Sequence, residues 1–224
     1  MKDENKIKAI AQAAICCNLD DEEIAEFAGL AAGRSLAAGE FAYYDGDTAD
    51  CLYIISQGRV KLTKNSSEGN EFIISFMGAG ETFGAAATLI GRPYPCSVRA
   101  EEATEVLEVK SKDMLAFLDS HPKMALGIIK VLGERLIDAQ NRLRDLAGEK
   151  VEQRLLNTLL RLFATCGADL PFTRHEIAEM TGTTTETVIR IFSNLKEENI
   201  ICSERGKITI IDEDRLKQLC HELP

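Results

Sequence analysis

At 224 residues and 45% hydrophobic content, the chain can form one large or two modest domains with real cores. It holds no apolar run near the roughly 18 residues needed to cross a bilayer and no leading signal-type apolar segment, so we expect a cytoplasmic protein with no membrane partner. The formal net charge of −10 does not exclude nucleic acid: residues 1–149 carry most of it (16 Lys and Arg against 24 Asp and Glu), residues 150–224 are near balance (10 against 12), and only cations that meet phosphates contribute to binding.

The first thirty residues read as helical, with Asp20 capping a segment that carries Ile24, Phe27 and Leu30. Short strands and turns follow. Residues 36–40 lead to Phe41 and then Asp45-Gly46-Asp47, after which 51–62 alternates and is broken by Gly58. Further turns fall at 66–70, 78–80 and 91–95, separated by apolar runs such as Phe72-Ile73-Ile74. Strands at this spacing predict a small all-β barrel or roll, closing with 98–100 and 106–109. Ser111 opens helices again.

From 122 to 150 the pattern is helical throughout, and Ile129, Leu132, Leu136, Ala139, Leu143 and Leu146 recur at 3-4-3-4-3 spacing, as heptad a and d positions do. Glu134, Arg135, Asp138, Arg142, Arg144 and Asp145 give this seam charged flanks, which predicts a two-stranded dimer; the alternative is that the seam packs on the chain's own roll. Gly148 interrupts the pattern and a new helix spans 151–166, which makes 147–149 a hinge. We therefore expect a sensor unit over 1–121, a dimerisation helix and hinge over 122–148, and a nucleic-acid-binding domain over 149–224.

That last domain is built around 172–195. Thr173 and Glu176 have capping-box spacing, Gly182 ends the first helix, and Thr183 with Glu186 repeats the spacing for a second. Val188, Ile191, Phe192 and Leu195 then face the core. The opposite face presents Thr184, Thr185, Glu186, Ile189, Arg190 and Ser193, as a helix-turn-helix presents its second helix to the major groove. A carboxylate can accept from cytosine N4 and a guanidinium can donate twice to guanine, so Glu186 and Arg190 suit adjacent base pairs; an ordinary i,i+4 ion pair is the alternative. Residues 200–202 and 207–211 read as two strands around a 203–206 turn, a hairpin wing. Arg174, Lys196, Arg205 and Lys207 flank the helix as candidate phosphate contacts, each otherwise a plain solvated charge.

In this order of parts the chain resembles the CRP/FNR family of bacterial transcription regulators. The matching residues are Gly39 and Gly46-Asp47, Ser56-Gln57-Gly58-Arg59-Val60, Gly80-Glu81-Thr82-Phe83-Gly84, Val98-Arg99-Ala100, Gly133-Glu134-Arg135-Leu136 and the helix-turn-helix. The resemblance implies an α+β architecture: a cyclic-nucleotide-binding-type β-roll with flanking helices, a long dimerisation helix and a winged helix-turn-helix. It implies a homodimer on an inverted-repeat double-stranded operator with a TGA-like core, RNA polymerase as a partner, and a small-molecule effector. In the family, Glu and Arg of a T-x-E-T-x-x-R segment read the half-site, and Thr184 to Arg190 supply both; the Gly or Ser often found before that Arg is here Ile189. An enzyme is not expected, since His121, His175 and His221 are scattered and no Gly-rich phosphate loop is present.

The departures concern the effector. In the cAMP-binding members a Gly-Glu-Leu segment and a later Arg-Ser pair hold ribose and phosphate, whereas this chain has Gly84-Ala85-Ala86 and Pro93-Tyr94-Pro95-Cys96. Arg92 is the one substitute cation, or else a solvated charge in its turn, and Ala139 and Gln140 stand where the base would be capped. Phe83, Gly84, Ala85, Arg92, Tyr94, Cys96, Ala139 and Gln140 are thus the candidate effector residues, and cAMP is not the expected effector; a cyclic-nucleotide-responsive regulator with a degenerate phosphate cassette is the alternative. The seven cysteines are odd in number and lack a C-x-x-C pair, against a disulfide framework or structural zinc. Cys16 and Cys17 are adjacent, and neighbouring thiolates rarely face one iron–sulfur cluster. Haem with a Cys or unusual ligand stays open, and Cys51, Cys96, Cys166 and Cys202 read as reduced, packed thiols. No metal ligands are assigned, and the cofactor is unknown.

Overall fold

The structure, a computed structural model, describes residues 3–65, 71–148, 150–204 and 206–222, with the side chains of 3, 142–148, 221 and 222 outside that description. It divides into two compact units, Met1–Ile137 and Asp138–Pro224.

In the first unit, α1 (Asp3–Ala11) and a single 3-10 turn (Ala14–Cys16) lead to α2 (Asp21–Leu30). Asp20 starts α2 as its sequence predicts: its Oδ1 accepts from the Glu23 amide at 3.0 Å and Glu23 Oε2 accepts from the Asp20 amide at 2.9 Å, which satisfies two otherwise orphaned donors. The strands that follow are β1 (Ala32–Leu36), β2 (Phe41–Tyr43), β3 (Cys51–Gln57), β4 (Arg59–Asn65), β5 (Glu71–Gly78), β6 (Thr82–Phe83), β7 (Ser97–Ala100) and β8 (Thr104–Lys110), with α3 (Ala85–Ile90) between β6 and β7. They form two antiparallel four-stranded sheets, ordered β1-β8-β3-β6 and β2-β7-β4-β5. The turn expected at 66–70 lies outside the described residues.

The first sheet is buried on both faces. Tyr53, Ile55 and Val106 point into the roll with Val60, Leu62, Val98 and Ala100, while Leu52, Ile54, Leu107 and Val109 join a second core with the helices. Hence the middle of β3 is buried without interruption, where a one-sided sheet would alternate. The helical core packs Phe27 against Phe117 of α4 (Ser111–Ser120), their ring centres 4.9 Å apart and their planes tilted by 51°.

α5 (Pro122–Gly148) contributes Met124 and Ile128 to this helical core. Gly127 explains how closely it docks: a Cβ there would lie 2.2 Å from the Ile15 carbonyl oxygen, so the 3-10 turn rests directly on the α5 backbone. The other face carries Leu126, Ile129, Leu136 and Ile137, each about 60% exposed. One expected seam position also meets the chain's own core. Leu132 is half-buried against the chain's own core, because it lies on the side of the helix that Ile128 and Val131 bury; the outward stripe runs instead through Leu126, Ile129, Gly133, Leu136 and Ile137. Ala139 is exposed, and the side chains of Leu143 and Leu146 lie outside the described residues. Among the described residues no helix is long and apolar enough to cross a membrane.

The second unit continues with α6 (Val151–Cys166), β9 (Asp169–Leu170), α7 (Arg174–Thr181), α8 (Thr185–Glu197), β10 (Ile201–Glu204), β11 (Lys207–Ile210) and α9 (Glu213–Glu222). Leu155, Leu159, Phe172, Ile177, Phe192, Ile200 and Leu216 close its core. The wing is three-stranded, β10-β11-β9, because Asp169 and Leu170 pair with Thr209 and Ile208. The architecture is the α+β arrangement of roll, long helix and winged helix-turn-helix that the sequence predicts.

Candidate nucleic-acid interface and effector region

α7 begins at Thr173, whose Oγ1 accepts from the Glu176 amide at 3.2 Å while Glu176 Oε2 accepts from the Thr173 amide at 2.7 Å. It ends at Gly182, whose φ of 66° is left-handed and lets the chain turn at once into α8. The cap of α8 is Thr184, one residue later than expected: its Oγ1 accepts from the Thr187 amide at 3.3 Å. Thr183 is instead part of the turn, its amide bonded to the Ala178 carbonyl at 3.0 Å. Glu186 is thereby released from capping-box duty. Its own backbone amide, then the Thr184 hydroxyl, hold its carboxyl below the usual range.

Val188, Ile191, Phe192 and Leu195 are buried, as the spacing of the helix requires. Thr184, Glu186, Ile189, Arg190 and Ser193 are exposed together, and Thr185 is half-buried, its hydroxyl 3.5 Å from His175 Nδ1. Among the described residues no ion pair joins Glu186 to Arg190, so the guanidinium is open to a partner outside the chain. Ser193 is not: its Oγ donates to the Ile189 carbonyl at 2.9 Å.

The flanking cations have structural employment first. Arg174 donates through Nε and Nη2 to Ser203 Oγ at 3.3 and 3.1 Å, and Lys196 Nζ donates to the Ser203 carbonyl at 3.0 Å, so both tie helices to the wing. Lys207 Nζ lies 3.0 Å from Asp169 Oδ2 and, with Thr209, holds that carboxyl below the usual range. Arg205 lies outside the described residues. A residue that sequence reasoning missed is Arg154 of α6, which donates to the carbonyls of Thr181 and Gly182, each at 3.2 Å. It satisfies carbonyls that the end of α7 leaves open and fixes the turn between the two helices.

Inside the roll, Tyr94 stacks on Tyr43 with ring centres 3.5 Å apart and planes within 8°, and Tyr53 stacks on Phe83 at 4.8 Å and 6°. The Tyr94 hydroxyl donates to the Cys51 carbonyl, which also accepts from Thr88 Oγ1 at 2.9 Å. A Cβ built on Gly84 would touch the Tyr94 ring at 3.1 Å, which puts Gly84 beside this cluster. Burial pushes the Tyr43 and Tyr53 phenols up, and it pushes the Cys96 thiol up to about 11. Phe83, Ala85, Tyr94 and Cys96 are all buried, whereas Arg92 is exposed in its turn and is not brought to them. Ala139 and Gln140 are exposed on α5. A cation that borders this interior is Arg135, missed as a site residue: its Nη2 donates to the Thr82 carbonyl at 2.6 Å and approaches Met77 Sδ at 3.9 Å, and burial lowers its pKa. Tyr43 and Tyr53 were missed too, since nothing local marks them. Among the described residues no group of three or more His, Cys, Asp or Glu is arranged to hold a metal ion.

A cyclic nucleotide needs a carboxylate for its ribose hydroxyl and a cation for its phosphate. The cassette supplies an alanine and a stacked tyrosine in their places, so these residues do not fit that ligand.

Comparison with known proteins accords with both units. Residues 33–121 match the model of the cyclic nucleotide-binding domain, and residues 153–219 match that of the Crp-like helix-turn-helix domain. The chain is 30% identical to a cyclic AMP receptor protein of Thermus thermophilus over 85% of its own length and 88% of that protein. It is also 30% identical to the nitrogen fixation regulation protein FixK of Bradyrhizobium diazoefficiens, over 94% and 91%. The solved structure of FixK2 from Bradyrhizobium japonicum shares the fold with a TM-score of 0.76 at 23% identity, covering 84% of this chain and 96% of that one. With a cyclic nucleotide-binding domain and a Crp-like helix-turn-helix domain both matched, and two relatives 30% identical over most of its length, this chain belongs to the CRP/FNR family of DNA-binding transcription regulators.

Proposed function

We propose that the chain acts as a homodimer, joined along the outward stripe of α5, that reads an inverted-repeat operator through α8 and is gated by a signal other than cAMP sensed in the roll. The observation that carries the reading is the exposed face of α8, on which Glu186 and Arg190 stand a turn apart without pairing. Arg190 donates to guanine O6 and N7, Glu186 accepts from cytosine N4 on the neighbouring pair, and the α8 amide ends approach the backbone. Two such helices related by a two-fold axis require half-site centres roughly 34–36 Å apart. Selection of operators from random-sequence DNA by the full-length protein tests this: an inverted repeat of TGA-like half-sites at that spacing is expected, and a non-repeated site would refute it. RNA polymerase is the expected partner of the bound dimer.

The relative from Thermus thermophilus is named for cyclic AMP, and a cyclic-nucleotide-responsive reading is the competitor. Ala85 and the buried, self-stacked Tyr94 support the other side. Calorimetry with cAMP is expected to show no micromolar binding and no gain in operator affinity; both together would overturn this part. A visible absorption spectrum with metal analysis of anaerobically purified protein separates haem or iron–sulfur sensing from a colourless ligand.

A further inference from the structure

We propose that Ile189 reads bases by apolar contact, seating its side chain against the C5-methyl group of a thymine next to the guanine addressed by Arg190. The proposal rests on α8 being the recognition helix and adds a contact that hydrogen bonding does not supply. Ile189 is 44% exposed, on the same face as Glu186, Arg190 and Ser193. The core of the unit closes without it, through Val188, Ile191 and Phe192. An exposed isoleucine alone is ordinary on a protein surface. This one is surrounded at three residues before, one after and four after by exposed polar side chains, on the face where a base-reading helix presents its contacts.

Two features of the face favour a methyl partner. The Ser193 hydroxyl, the polar group one turn along, is spent on the Ile189 carbonyl at 2.9 Å, so it leaves the isoleucine side chain uncovered by a competing donor. On the major-groove edges of the four bases, thymine alone carries a methyl group, and donors and acceptors line the rest. A branched aliphatic side chain there gains by covering that methyl and loses by facing an amino group or a carbonyl it cannot satisfy. Ile189 is rotated about 100° around the helix axis from Arg190, which assigns it to the base pair adjoining the guanine rather than to the same pair.

The experiment uses the full-length protein and its selected operator, with each thymine of a half-site replaced in turn by deoxyuridine, which removes only the methyl. Covering one methyl is worth about three- to five-fold in affinity. We expect one thymine per half-site, beside the guanine, to show that loss with the wild-type protein and with Ile189→Val, and no loss at that position with Ile189→Ala. Insensitivity of the wild type at every thymine, or sensitivity that persists in Ile189→Ala, overturns the proposal. If Arg190→Ala selects the wild-type motif unchanged, the reading of α8 falls and takes this contact with it; an altered Arg190→Ala motif with no uridine effect removes the Ile189 contact alone.

Discussion

The interior of the roll and the outer face of α8 handle the same problem in opposite ways. In the roll, Tyr94 and Thr88 turn inward and both donate to one carbonyl, that of Cys51, and the rings of Tyr43, Tyr53 and Phe83 pack with that of Tyr94. On α8, polar groups turn outward, and Arg190 has no carboxylate partner on its own helix. A buried network that is complete resists change, whereas an exposed face left incomplete costs little to alter and gains its meaning from a partner. Substitutions should therefore divide cleanly into those that move stability and those that move sequence preference.

The largest separation is expected from Tyr94→Ala, which removes a buried ring and both of its contacts. It should destabilise the first unit by about 3–5 kcal/mol in thermal unfolding while leaving the selected DNA motif unaltered; a changed motif would dissolve the distinction. Leu136→Asp, on the exposed stripe of α5, places a charge in the proposed two-fold seam at a cost of about 3 kcal/mol or more. Sedimentation should show a monomer that has lost operator binding without loss of fold, and a wild-type monomer that binds operator tightly would break the seam assignment.

On the DNA side, Arg190→Ala should cost about 1–3 kcal/mol of operator affinity and relax preference at one guanine, with no effect on the melting temperature. Lys196→Ala is a finer test, since its amine already bonds the Ser203 carbonyl. If it also reaches a phosphate in the complex, all sequences weaken alike and the salt slope falls by about 1; an unchanged slope confines it to bracing the wing. The smallest effect is chemical. Burial holds the Cys16 and Cys96 thiols up at about 12 and 11, so both stay protonated at pH 8. Cys166 and Cys202, expected to be packed thiols, are exposed at the end of a helix and on the wing. Alkylation at that pH should therefore label Cys17, Cys166 and Cys202 and spare the buried pair, and rapid labelling of Cys96 would show that the roll opens.

The helix-turn-helix was legible because its signals are local. Thr173, Glu176 and Gly182 lie within ten residues, and the apolar stripe of α8 falls on one helical period. The cap itself slipped from Thr183 to Thr184, since two adjacent threonines offer the same hydroxyl and the choice depends on where the Gly182 turn leaves the backbone. Arg154 and the short β9 escaped for the opposite reason: their partners are Thr181 and Gly182 for one and Thr209 and Ile208 for the other, and no periodicity joins such distant positions. The same holds in the roll. Tyr94 stood out against the family pattern, but Tyr43, on β2 and far away in sequence from the loop that carries Tyr94, is revealed as its stacking partner only by the folded roll. Leu132 keeps heptad spacing and is half-buried against the chain's own core, because spacing reports which residues share a face and not which body that face meets.

The missing methyl at Gly127 has a mechanical meaning. Where two backbones touch, as α5 does at the Ile15 carbonyl, no side chain stands between them to change rotamer and absorb a small displacement. The N-terminal turn and the first half of α5 are coupled without slack. Leu126 and Ile129, within two residues of Gly127 in the same helix, are exposed, and an alanine at 127 would act as a wedge between the turn and the helix, since its Cβ would lie 2.2 Å from the Ile15 carbonyl oxygen.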